Sequence, residues 1–507
     1  MSETRRGSAS RSRVSRIRER IKSISPLSLV MLGFLGFLGD AFSQLEILKL
    51  FKFFWLFAFW PIAAMLFGAI RNALGYEKDS PGPRDWLSMD DSLTTYLAFF
   101  VGLLLSFFNP LALCQDMMQL LGSIVAIVRN RGSLPDPESY EQSGSYRLPV
   151  EGTWTVINGS PIKKYSHSWF PATQRYAHDF VITDEDGRTH PEGTDTNTAN
   201  YYCYDQPVVA PADGTVVSVG DSDPELSRGG GFSHPFKRSI IGNHVAIRHA
   251  EGEYSNLVHL VPGSIEVEPG DHVKQGEQIG RCGHTGNSSE PHLHFQLQDH
   301  PTFEIAAGLP VKFENVDIEI PGTDVVETTD WSTPEDEDSG RYIHVGQRVT
   351  HNPDDRSHRN EVETKPSETS LDTSSNRAVA VGVFAKGISI GGILTVFAGA
   401  VVSSLSTVAV VLTGSAALAV AYWCGRRLLS DDPPSSSGLV IAVAVGLTAL
   451  SVGAAGELDT VSGFSSFSVG GGMFVIGFLL YGVTSAYLRY RLSEDDVAGS
   501  LSRRVGS

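Results

Sequence analysis

Cysteine is scarce in this sequence, with four in 507 residues, at Cys114, Cys203, Cys282 and Cys424. Four are too few for a disulfide framework, and without a CxxC pair a cysteine zinc site has no support. Cys114 and Cys424 lie in or beside apolar stretches. Cys203 and Cys282 share the polar middle of the chain, and read either as one disulfide in an oxidising compartment or as two buried thiols in a reducing one. Positive charge is also short. The formal net charge is −17, and the middle forms no basic patch, which excludes a nucleic-acid binder. Such acidity suits a protein kept soluble in concentrated salt. No HExxH occurs, so a glutamate base on a zinc-binding helix is not indicated. From about 130 to 376 no apolar run is long enough to cross a bilayer.

The apolar residues crowd instead into both ends. Residues 1–25 read as a disordered basic arm, with arginines among serines on the cytoplasmic side of a membrane. An N-terminal membrane region over 26–130 is expected to hold two or three spans. Residues 28–39 are short for a span, 53–70 and 95–113 are long enough, and 120–128 suit an interfacial helix. The Asp-, Glu-, Ser- and Thr-rich stretch 321–376 reads as an acidic disordered linker. A C-terminal membrane region over 377–492 follows with three or four spans, then a tail over 493–507. Arg426, Arg427, Arg489 and Arg491 put their loops and the C-terminus in the cytoplasm. The uncertain span count leaves the side of the middle domain open.

That domain, over 140–320, carries the chemistry. Residues 206–300 read as short strands between turn residues, in three blocks: VVAPADGTVVSVGD, GNHVAIRHAEGEYSNLVHL and EPGDHVKQGEQIGRCGHTGNSSEPHLHFQLQ. In PHLHFQL the alternation of a strand sends His292 and His294 to one face and Leu293 and Phe295 to the other. Two imidazoles about 7 Å apart on one face can serve one metal site, one binding and one acting on water. An isolated HxH is more often a pair of polar residues on an exposed strand.

Together, in this order and spacing, the blocks resemble the lysostaphin/LytM family of zinc metallopeptidases. The matching segments run from Ala210 to Val216, Gly242 to Ile247, Tyr254 to Leu260, Gly270 to Gly280 and His292 to Phe295. The resemblance implies a mainly β catalytic domain, an antiparallel sheet with a surface groove, which the apolar ends of the chain flank with transmembrane α-helical regions. It implies Zn2+ as cofactor and a zinc metalloendopeptidase activity on an envelope peptide or peptidoglycan-like substrate. On those substrate grounds the extracytoplasmic side is preferred, with membrane lipids as neighbours.

Carried over by position, His294 is a zinc ligand, and His259 and His292 flank the reacting water and the scissile carbonyl. Asp179, opening an apolar strand in QRYAHDFVI, is the expected carboxylate ligand. The family's usual His-x-x-x-Asp is broken, because Arg175 stands where the histidine is expected. His167, in KKYSHSW, is the preferred replacement, with His178 second and His190 third. His178 adjoins Asp179, and strand neighbours face opposite ways. Arg175 and Tyr176 serve either substrate contact or packing. His244, His249, His272 and His284 read as surface or supporting residues. Gly270, Gly276, Gly280, Gly283 and Gly286 serve tight turns. Two other readings remain: a ligand-poor domain of this family acting as a binding or regulatory module, and a biotinyl/lipoyl carrier, which lacks its lysine tripeptide here.

Overall fold

The computed structural model describes residues 26–33, 43–60, 109–166, 168–321, 340–352, 373–401, 414–419, 421–423, 436–462 and 469–487, with a few isolated positions between them. Of the expected span at 53–70, residues 53–59 form the end of a 3-10 helix over Ser43–Phe59, while that at 95–113 lies largely outside the described residues.

The middle of the chain folds as an antiparallel β domain. Its strands are β1 (Thr153–Asn158), β2 (His178–Val181), β3 (Pro207–Val209), β4 (Gly214–Gly220), β5 (His244–Ala250), β6 (Glu253–Val258), β7 (His272–Val273), β8 (Gln278–Arg281), β9 (Leu293–Gln298), β10 (Gly308–Leu309), β11 (Val316–Glu319) and β12 (Arg348–His351). The large sheet runs β11-β12-β1-β2-β9-β6-β5-β4-β7, with β10 on β9; β3 and β8 form a second, small sheet. The alternating pattern of β9 explains its central place. Leu293, Phe295 and Leu297 are wholly buried in a core shared with Val156, Phe180, Ile247 and Leu257. The intervening polar residues turn to the opposite face.

The domain does not end at residue 320. Arg341 bridges to Phe313, and β12 pairs with both β11 and β1, with Val349 wholly buried. The acidic linker expected over 321–376 is therefore interrupted by a structural strand. In RYIHVGQRVTH the apolar residues Ile343, Val345 and Val349 supply the burial that the surrounding acidic composition concealed.

One helix packs along this domain: α1 (Pro110–Arg129). Asn109 is extended and caps it, accepting from the Leu111 and Ala112 amides, so α1 begins inside the expected 95–113 span. Its side-chain amide donates to the Lys237 carbonyl at 2.8 Å. Gln115 accepts from the Ile240 amide, Gln119 from Gln174 and Ser123 from the Ala172 amide, and Arg129 pairs with Asp299 at 2.6 Å. Spacings of four put Gln115, Gln119 and Ser123 on one stripe, facing the domain. The other side packs Cys114 and Met118 against α2 (Thr373–Val401) and against Phe474, Phe478 and Tyr481 of α4 (Val469–Tyr487). A third C-terminal helix, α3 (Ser436–Ser462), precedes α4. Among the described residues, α1 and α4 are long and apolar enough to cross a membrane by length and composition.

Candidate active site

Three neighbouring strands bring the candidate residues together. In the register, Asp179 of β2 lies opposite His294 of β9, and His294 lies opposite Val258 of β6. His292 precedes β9, and its amide donates to the Gly283 carbonyl. Strict alternation would send His259 to the core side with Leu257. Instead β6 ends at Val258, and His259 adopts a left-handed φ of 68°. Its ring then sits 4.7 Å from that of His292 and 5.9 Å from that of His294. A non-glycine residue in that region costs on the order of 1 kcal/mol, so surrounding contacts must hold it there. Asp179, His259, His292 and His294 are 6–8% exposed, and form one buried polar cluster.

The hydrogen bonds fix what each group can do. Asp179 receives Asn158 Nδ2 on Oδ2 at 3.1 Å, while its Oδ1 faces His294 Nδ1 at 2.8 Å and His292 Nε2 at 3.9 Å. Gln296 donates its amide to the Thr173 carbonyl and to Gln298, so its Oε1 is the atom turned to His294 Nε2, at 3.1 Å. His294 Nε2 must then carry a hydrogen and donate it. That leaves the Nδ1 lone pair facing a carboxylate oxygen. Two acceptors at 2.8 Å require a cation between or beside them, either a proton on Nδ1 or a metal ion. Burial opposes protonation of His294, but the Asp179 charge and the bonds to Asp179 and Gln296 outweigh it and raise its pKa.

His259 and His292 are arranged the other way. His259 Nδ1 donates to the Thr285 carbonyl at 2.8 Å, and His292 Nδ1 donates to the Glu290 carbonyl at 2.8 Å. Each is left with Nε2 as a proton acceptor. Burial lowers both pKa values, that of His259 well below its ordinary 6.5, with the neighbouring imidazoles adding to the effect there. Both rings are therefore neutral bases near neutral pH.

The remaining candidates separate. His178 lies opposite Phe295, stacks near Phe180 and Phe313, and points into the core, away from Asp179. Burial lowers its pKa to about 4. The strand's alternation removes it from the cluster. His190 bonds Thr194 and packs on Tyr201. His167 lies outside the described residues, but its neighbour Ser168 accepts from Asn158 Nδ2 at 2.8 Å, the same amide that holds Asp179. Arg175 stacks over Trp169, and Tyr176 donates to the Pro135 carbonyl. His284 is buried and bonds Ser288, whose hydroxyl lies 3.3 Å from His292 Nδ1.

Sequence reasoning missed Asn158, Thr285 and Gln296. Gln296 was legible in principle, since the alternation that pairs His292 with His294 continues to Gln296 and Gln298. Nothing local marked Asn158, which reaches Asp179 only through strand pairing.

The donor set suits zinc: one carboxylate oxygen and one imidazole nitrogen, with that imidazole's other nitrogen tied to a supporting amide. Among the described residues, no group of three or more histidine, cysteine, aspartate or glutamate side chains forms a ready metal cage.

Residues 191–304 match Peptidase family M23, so the chain carries an M23-type, LytM-like peptidase domain. Asp179 lies upstream of the matched residues, and His259, His292 and His294 lie within them. The sequence is 35% identical over 96 residues to the cell division protein DipM of Caulobacter vibrioides, covering 19% of this chain and 13% of that one. It is 32% identical over 110 residues to the peptidoglycan DD-endopeptidase ShyA of Vibrio cholerae, covering 20% and 24%. The chain thus spans less than a quarter of the length of these relatives. The catalytic domain of lysostaphin from Staphylococcus simulans is 22% identical, with 31% of this chain and 88% of that chain covered at a TM-score of 0.19.

Proposed function

We propose that this protein is a membrane-anchored zinc metalloendopeptidase that cuts peptide bonds in a cell-envelope peptide or glycoprotein. The observation that carries the reading is the convergence of Asp179 and His294, which need a cation between them, with two neutral imidazoles on the same buried face. Asp179 and His294 would hold the metal, with His167 as third ligand; the Asn158 amide, which donates to both Ser168 and Asp179, supports that choice. Zinc, when bound, supplies Lewis acidity that activates water and polarises a carbonyl. His292 and His259 take the proton from the attacking water at Nε2. The imidazolium so formed then donates to the negative charge developing on the carbonyl oxygen and returns the proton to the leaving amine. Gln296 and Asn158 hold the two ligands in orientation.

The anchor is proposed from the apolar terminal regions, α4 above all. The substrate class follows from the M23 match and from ShyA, a relative whose name is that of a peptidoglycan endopeptidase. Arg175 in the expected ligand position favours one second reading, a domain that binds envelope peptide without cutting it. Both are tested on the full-length protein in native membranes, by metal analysis and by mass spectrometry of digested cross-linked envelope peptides. The enzyme reading expects about one zinc per chain and cleavage products, both lost in His294→Ala and in His167→Ala. Peptide binding without zinc or cleavage would replace it by the second reading.

A further inference from the structure

We propose that Cys203 and Cys282 form a disulfide that lies against the two chain segments presenting His259 and His292. Both are free thiols, wholly buried in the domain core and in side-chain contact with one another. The backbone around them is already paired. The Asp205 amide donates to the Cys282 carbonyl at 2.7 Å, and the Cys282 amide to the Gln206 carbonyl at 2.9 Å. These bonds continue the β3–β8 ladder, in which Pro207 lies opposite Arg281. The Gln206 amide donates back to the Cys203 carbonyl, closing the turn that carries Cys203 toward Cys282. Two cysteines brought together by adjoining antiparallel segments meet the main requirement for a disulfide, that the backbone need not move far.

The pair also adjoins the site. The Cys203 thiol donates to the Pro291 carbonyl at 3.1 Å, one residue before His292. Cys282 bridges to Leu260, one residue after His259. The next residue, Gly283, is pressed so closely that a Cβ there would lie 2.9 Å from the His259 carbonyl oxygen and 2.6 Å from the Val261 nitrogen. His259 keeps its left-handed backbone against this wall.

Oxidation needs a disulfide reagent, R–S–S–R, from the oxidising side of the membrane. The thiolate of Cys203 attacks one sulfur and expels RS−, and the thiolate of Cys282 then attacks the mixed disulfide at the Cys203 sulfur and expels a second RS−. Two electrons pass to the reagent, and two protons leave the protein thiols. The turn at Asp205 and Gln206 is exposed, and is the segment whose opening would admit the reagent.

The test uses the full-length protein in its native membranes, challenged with oxidised glutathione, then denatured and treated with a thiol-alkylating reagent. The expected result is that Cys203 and Cys282 resist alkylation until reduced, and that a cross-linked peptide containing both appears by mass spectrometry. In Cys203→Ser, Cys282 should become alkylatable without reduction. Relative to the reduced protein, the oxidised protein should melt roughly 10 °C higher, because the bond closes a long loop, and Cys203→Ser should show no such difference. Alkylation of both cysteines in the oxidised wild-type protein, or pairing of either with Cys114 or Cys424, would overturn the proposal. Zinc content and peptide cleavage are separate readouts, so failure here leaves the proposed function standing.

Discussion

The two faces of the β2–β9–β6 strands are built from the same segments and do opposite work. On one face Leu293, Phe295 and Leu297 join Phe180 and Leu257 in a dry core, where only volume and fit matter. On the other, His294, Gln296 and Gln298 form a row of hydrogen-bonded polar side chains that runs from Asp179 to the His300 carbonyl. His178 and Asp179 show the contrast at single-residue distance. The histidine is enclosed by aromatic rings and kept neutral by burial, while the aspartate is turned toward two imidazoles, those of His292 and His294. A residue's place on the pleat, more than its type, decides whether it packs or reacts.

Substitutions that strike one face without the other are the sharpest way to break this contrast. The largest effect is expected for His292→Ala, which should lower peptide cleavage by about 10²–10⁴-fold with little change in melting temperature, measured by steady-state kinetics and calorimetry. Its counterpart across the sheet is Phe295→Ala, which should destabilise the domain by about 3–5 kcal/mol in denaturant titration. Zinc should be retained at temperatures where that variant is still folded. Gln296→Leu removes the acceptor that fixes the His294 tautomer, and should weaken zinc affinity by about 10–100-fold in a competitive chelator titration. His178→Ala should leave zinc content unchanged and cost stability only; loss of zinc would place His178 in the site after all.

The smallest expected effect is on pH. Burial lowers the pKa of His249 and of His344 from 6.5 to about 4. Between those values the unfolded chain binds more protons than the folded one, so stability is present above pH 6.5 and declines as pH falls toward 4. His344→Gln should flatten that decline in a series of melting curves, and an unchanged slope would remove His344 as a cause.

Much of the site was legible because its signals are local. The His-x-His spacing on an alternating strand, the ordered glycine turns and the apolar strand after Asp179 all depend on neighbours a few residues away. Gly270, Gly276 and Gly286 do adopt positive φ, whereas Gly280 lies inside β8 and Gly283 serves close approach to the His259 carbonyl instead of a tight turn. What escaped was long-range. The closing strand β12 was hidden in an acidic stretch, and its pairing with β1 joins Trp154 to Val349 across the whole domain sequence. The docking of α1 was hidden because Gln115, Gln119 and Ser123 look like isolated polar residues in an apolar run until the domain supplies their partners.

Composition and periodicity alone therefore determined the β character of the middle domain, the apolar terminal regions and the face that His292 and His294 share, since each follows from side-chain spacing along one strand or one run. Only the tertiary structure decided that His259 leaves its alternation to meet them, that Gln296 sets the proton on His294, and that His178 is excluded while Asp179 is admitted. Those outcomes depend on strand register and on one left-handed residue, which bring together groups more than a hundred positions apart and which no local pattern encodes.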